Sequence, residues 1–72
     1  MTTSEIINLF GGPVNLAYYL GIRSQAVSLW GSKNRIPMAR VPELVRVSRL
    51  LRLGLRAEDM RPDIDWAALK GR

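Results

Sequence analysis

The stretch Pro13 to Gly31, PVNLAYYLGIRSQAVSLWG, constrains the chain most, because its spacing is that of two short helices joined by a tight turn at Gly21. Leu16, Ala17 and Leu20 fall on one side of a first helix, Ile22 fills the corner, and Val27 and Trp30 lie three apart on a second. Two helices that cross closely at about 90–120° need a small residue where they touch and a residue free of Cβ strain at the bend. Ala17 and Gly21 supply these one helical turn apart. Gly12 and Pro13 mark the start of the first helix, since Pro at the first helical position loses no bond it would otherwise make. Arg23 or Ser24 opens the second, and Ser24 is the better capping residue.

A helical hairpin with no ligand would show the same apolar pattern. The outward face of the second helix separates the two readings. Ser24, Gln25, Ser28 and Leu29 project away from Val27 and Trp30, and no acidic residue lies between Ile6 and Pro42. A merely solvated helix normally mixes Glu with Lys; this one offers neutral hydrogen-bonding groups beside cations. In the major groove Gln can pair with adenine through two hydrogen bonds, Ser can bond several bases, and Leu29 can meet a thymine methyl. The expected base-contacting residues are therefore Ser24, Gln25, Ser28 and Leu29.

Charge distribution supports a phosphate-facing surface. The formal net charge is +5. From Arg23 to Arg56 there are eight basic residues against a single acid, Glu43, whereas residues 57–72 hold four acids against three bases. A basic middle flanked by near-neutral ends suits a polyanion. The segment Gly31 to Pro37 (GSKNRIP) is expected to be the loop after the reading helix, where Lys33, Asn34 and Arg35 are natural phosphate contacts. Arg23 and Arg40 join them. Asn15, near the start of the preceding helix, has two readings, a phosphate contact or a solvated side chain.

Other classes are excluded by what the chain lacks. It has no cysteine and no histidine, so thiolate chemistry, disulfides and the commonest metal ligands are absent, and neither metal nor cofactor is expected. Ser24 and Ser28 have no base to activate them, the acids are dispersed, and 72 residues leave little volume for a substrate cleft. The chain is therefore expected to bind rather than catalyse. Gly11-Gly12 as a phosphate cradle lacks the preceding strand and the Lys such a loop needs. The longest apolar run is far short of the ~20 residues that span a bilayer, and the start of the chain lacks a basic signal-peptide region. A reducing cytoplasm is the expected location, with no membrane partner.

The remaining elements follow from local signals. Thr2 with Glu5 makes a capping box for a helix from Thr3 to Phe10 that turns Ile6, Ile7 and Phe10 inward. Of Tyr18 and Tyr19, one packs and the other is exposed. Pro42-Glu43 starts a further helix, with a turn beginning earlier near Met38, and Gly54 stops it. On that helix Leu44, Val47 and Leu51 form one stripe, with Arg46, Arg49 and Arg52 around the far side. Leucines beyond what a narrow stripe needs, Leu50, Leu53 and Leu55, with Trp66 from the tail, form a dimer or partner surface or else cover the open end of a small core. The tail, residues 57–72, holds a short acidic turn Ala57 to Met60 and a last turn, Trp66 to Leu69, capped by Asp65 and ended by Gly71.

The expectation is one all-α domain, 1–72, a small bundle of four to five helices with a short C-terminal tail. Its segment 13–31 resembles the helix-turn-helix of phage Cro and CI repressors: Ala17, Gly21, Val27 and Trp30 occupy that motif's small, glycine, β-branched and large apolar positions. The chain as a whole is similar to the small Cro-like and YdaS-like antitoxin proteins of prophages. It shares with them Phe10-Gly11-Gly12, Leu16-Ala17, Leu20-Gly21-Ile22, Gln25-Ala26-Val27-Ser28, Trp30, Arg35-Ile36-Pro37, Arg40, Pro42-Glu43, Arg61-Pro62-Asp63 and Trp66. It departs from them at Arg52 to Arg56, where a leucine- and arginine-rich segment replaces a Gly-rich turn. The resemblance implies a lambda-repressor-like fold and a transcriptional repressor that binds a near-palindromic double-stranded operator as a homodimer. It also implies an alternative, an antitoxin-like module that neutralises a toxin-like protein and represses its own promoter. RNA binding is disfavoured, because the aromatics are too few and scattered for base stacking.

Overall fold

The computed structural model describes residues 1–70, and among them every regular element is helical. The elements are α1 (Thr3–Leu9), α2 (Pro13–Leu20), α3 (Ser24–Lys33), a 3₁₀ turn at Met38–Arg40, α4 (Val41–Leu51), and two short tail helices, α5 (Ala57–Met60) and α6 (Trp66–Lys70). The expected ending at Gly71 lies outside the described residues.

Local chemistry sets most of the ends. The Thr2 hydroxyl accepts from the Glu5 amide at 3.1 Å, and the Thr2 amide donates to Glu5 Oε1 at 2.7 Å. Donation to the Glu5 carboxyl from Thr2, the backbone amide first and the side chain second, holds it below its usual range. At the end of α2, Gly21 adopts the left-handed conformation (φ 68°, ψ 32°), and the Ile22 amide reaches back to the Ala17 carbonyl at 3.1 Å. The same closure recurs without glycine: Asn34 (φ 52°) ends α3 and Arg52 (φ 57°) ends α4. Arg52, not Gly54, is thus where α4 stops.

α3 differs from expectation at both ends. Ser24 is its first helical residue rather than its cap; Arg23 holds the cap position, with no side-chain bond to the helix. At the far end the helix runs through Gly31 to Lys33. Gly31 is helical because of what it faces: a Cβ there would lie 3.3 Å from Ser4 Oγ and 3.6 Å from Ile7 Cδ1. Absence of a side chain lets α3 lie close against α1 as well as across α2.

The core gathers Ile6, Ile7 and Phe10 of α1, Leu16 and Ala17 of α2, Val27 and Trp30 of α3, and Val41, Leu44 and Val47 of α4. Each fully buried large apolar side chain contributes about 1.5–3 kcal/mol. Ile36, Leu55 and Met60 close it from the connecting segments. Leu55 is only 7% exposed, which removes it from the partner surface and leaves it the other expected role, covering the open end of the core. Leu53 and Trp66 are half-buried against the same core. Of the expected surface, Leu50 alone stands out, 74% exposed.

Two polar residues tie the second half of the chain together. Ser48, 1% exposed, accepts from the Leu55 amide through Oγ at 2.9 Å, while its own carbonyl accepts from the Leu53 amide at 2.9 Å. Arg61, 8% exposed, donates from Nη1 to the Ile36 carbonyl at 2.9 Å and forks onto Asp63 at 2.9 and 2.7 Å. Trp66 Nε1 then donates to the Arg61 carbonyl at 2.9 Å. The bidentate pair holds the Asp63 carboxyl at about 2, with Arg35 adding a smaller pull. As expected, Asp65 caps α6 by accepting from the Ala68 amide at 3.1 Å.

Two predictions come from these ties. Ser48→Ala leaves the buried Leu55 amide without a partner, and chemical denaturation should register a loss of about 1–3 kcal/mol. Asp63 titrates near 2 when folded and near 3.8 when free, so its ion pair stabilises the fold in full above about pH 4 and loses that effect as pH falls through 2. The denaturation midpoint of the native chain should therefore fall across this window more steeply than that of Asp63→Asn.

Candidate nucleic-acid interface

Because α1 and α2 cover α3 from two sides, its free surface is what their packing leaves over. Val27 and Trp30 are buried, and Gly31 is turned to α1. Gln25, Ser28, Leu29, Ser32 and Lys33 are exposed. At about 100° per residue these five span an arc of roughly 140° along one side of the helix. Ser28 and Ser32 border a groove shared with Ser4, Asn8 and Pro13. On the other flank, Leu29 and Lys33 border a second groove with Trp30, Arg35 and Pro37. Gln25 stands on the ridge near the helix start. Ser24, at the first position, is half-buried.

Ser32 belongs to this face although sequence reasoning placed it in a loop. The signal was present: Ser32 lies seven residues beyond Gln25 and four beyond Ser28, the spacing of one helical side. What hid it was Gly31, which resembles a helix terminator when its contact with α1 is unseen.

The expected phosphate contacts divide into two groups. Arg23, Lys33 and Arg35 are exposed and form no ion pair among the described residues. The other three carry structural duties. Asn15 donates from Nδ2 to the Phe10 carbonyl at 2.7 Å, which binds α2 to the turn before it. Asn34 accepts from the Thr3 amide through Oδ1 at 2.9 Å, joining the end of α3 to the start of α1. Arg40 pairs with Glu43 at 3.1 Å. Asn15 and Asn34 each keep amide hydrogens beyond these bonds, whereas the Arg40 charge is largely compensated.

Both tyrosines are exposed, where one was expected to pack. Tyr18 is 82% exposed and Tyr19 43%, their rings meeting edge to face at 6.1 Å between centroids. Among the described residues no three His, Cys, Asp or Glu side chains converge to hold a metal ion. No described helix is long and apolar enough to cross a membrane.

The arrangement is thus a short helix with an acid-free face of hydroxyls, one carboxamide and one leucine, flanked by unpaired cations at Arg23, Lys33 and Arg35. Such a face can donate to and accept from base edges while the cations meet a negatively charged backbone. No curated protein and no solved structure matches the chain. A family model described as bacterial toxin YdaS matches residues 4–69, from the first turn of α1 into α6. With nearly all of its described length covered by that match, the chain belongs to the YdaS family.

Proposed function

We propose that the protein is a sequence-specific double-stranded DNA-binding regulator whose reading element is α3. The observation that carries this reading is the acid-free arc of Gln25, Ser28, Leu29, Ser32 and Lys33 between the cations Arg23 and Arg35. A ten-residue helix is about 15 Å long, which suits a major groove about 12 Å wide. Gln25 and Ser28 bond base edges, Leu29 meets thymine methyl groups, and Ser24 lies at the margin of the contact. Arg23, Lys33 and Arg35 hold phosphates and set register, with Asn15, Asn34 and Arg40 lending smaller contributions beside their structural bonds.

One such domain covers one half-site, so a two-fold homodimer on a near-palindromic operator is the working form. Its reading helices then lie about 34–36 Å apart or a multiple of that. Repression of a promoter in the cytoplasm is the outcome the resemblance to Cro-type proteins favours. Action is by binding and not by catalysis, which the absence of His and Cys and the structural employment of the carboxylates support.

A second reading is favoured by the family description itself, which names a toxin. In it the chain works within a toxin–antitoxin pair through contact with a protein. The two readings are compatible, since a DNA-binding face on α3 leaves the remaining surface free.

Substitution separates base reading from backbone attraction. Gln25→Ala should weaken binding to a selected operator by about 1–3 kcal/mol, roughly 5- to 150-fold, and leave binding to unrelated duplex unchanged. Lys33→Ala or Arg35→Ala should weaken all duplexes alike and reduce the slope of log affinity against log salt by about 1 each. Fluorescence anisotropy over a salt series measures both. Unchanged operator discrimination in Gln25→Ala would exclude α3 as the reading helix.

A further inference from the structure

We propose that the outer face of α4 is a second binding surface, one that takes an acidic protein segment bearing an apolar side chain. Arg46 and Leu50 are one helical turn apart and both exposed, Arg49 is exposed about 100° around the helix from Leu50, and Arg52 follows at the end of the helix. Leu50 at 74% exposure is the most exposed leucine among the described residues. The face thus has an exposed apolar side chain at one edge of a row of guanidinium groups, with Arg46 and Arg49 about 40° and 100° to the same side of Leu50 around the helix.

Among the described residues the acidic side chains are engaged elsewhere. The chain holds six acidic side chains. Glu5 caps α1, Glu43 pairs with Arg40, and Glu58 lies 3.9 Å from Arg56. Asp59 accepts from the Arg56 amide, Asp63 is forked by Arg61, and Asp65 caps α6. Arg46, Arg49 and Arg52 enter no ion pair among the described residues.

A separate observation concerns the backbone. Arg52 sits in the left-handed conformation (φ 57°), where a side chain costs about 1–2 kcal/mol that glycine avoids. Its side chain makes no hydrogen bond or ion pair among the described residues that would offset this strain. The conformation serves to close α4, the Leu53 amide reaching the Ser48 carbonyl at 2.9 Å, and it leaves the Arg52 side chain free to meet a partner.

The occupant follows from the charges. A second copy of the chain would set arginines against arginines across the two-fold, which repel. Nucleic acid would satisfy the guanidinium groups but would gain nothing from Leu50. An acidic segment with one apolar anchor satisfies both. Leu50 lies about 13 Å along α4 from the helix start that the 34–40 segment feeds, and α2 packs against both α3 and α4.

The test is a chemical-shift titration of the full chain with a synthetic helical peptide carrying glutamates around one leucine. The proposal expects saturable shifts at Arg46, Arg49, Leu50 and Arg52. It also expects affinity to fall about tenfold or more when the peptide leucine becomes serine, or in the chain variant Leu50→Ser, whose site is solvent-facing. Unspecific duplex DNA should shift α3 and the Lys33–Arg35 segment and leave the α4 face unmoved, so a failure of DNA binding is read separately. Three results would overturn the proposal: equal binding of the leucine-free peptide, peptide shifts centred on Lys33 and Arg35, or displacement of the peptide from α4 by duplex.

Discussion

The packing of α2 against α3 determines what every other part of the molecule can do. Ala17 is buried in that packing, and Gly21 turns the chain in a backbone conformation that other residues adopt at a cost. Ile22 then seats itself against the core and α3 departs in a fixed direction. Gly31 adds a second close approach, to α1. Held on two sides, α3 has one free face. The hydroxyls and the carboxamide are on it because packing has claimed the remaining positions.

The electrostatics follow from a second constraint, the employment of the acids. Helix capping uses Glu5 and Asp65, and Asp59 binds the start of α5. Asp63 is fixed by the buried Arg61, which also grips the Ile36 carbonyl. The carboxylates of the tail therefore stay with the tail, and most of the cations between Arg23 and Arg52 remain uncompensated. A basic surface persists on a protein that contains six acids because folding places those acids elsewhere.

Features set by neighbours in sequence were legible from it. The corner at Gly21, the capping box at Thr2, the all-helical class and the inward positions of Val27 and Trp30 all depend on spacings of a few residues. Features set by distant partners were not. Gly31 marks a close contact with a helix more than twenty positions earlier, so in sequence it resembles the end of α3 and hides Ser32 on the exposed face of that helix. Leu55 looks like a surplus leucine until the Ser48 hydroxyl is seen to draw its amide inward. Arg61 is a surface residue by composition and a buried one by virtue of a carbonyl at Ile36. Asn34 shows both levels at once: its turn-forming character was evident, while its bond to Thr3 needed the fold.

This small helical member of the YdaS family presents a polar, acid-free face on α3 and exposed arginines on α4. The account rests on the first of these entering duplex DNA. Selection of bound duplexes from a random library with the native chain, repeated at several salt concentrations, tests that most directly. The account predicts enrichment of one near-palindromic motif that survives increasing salt. Recovery of unenriched sequence at every ionic strength would contradict it.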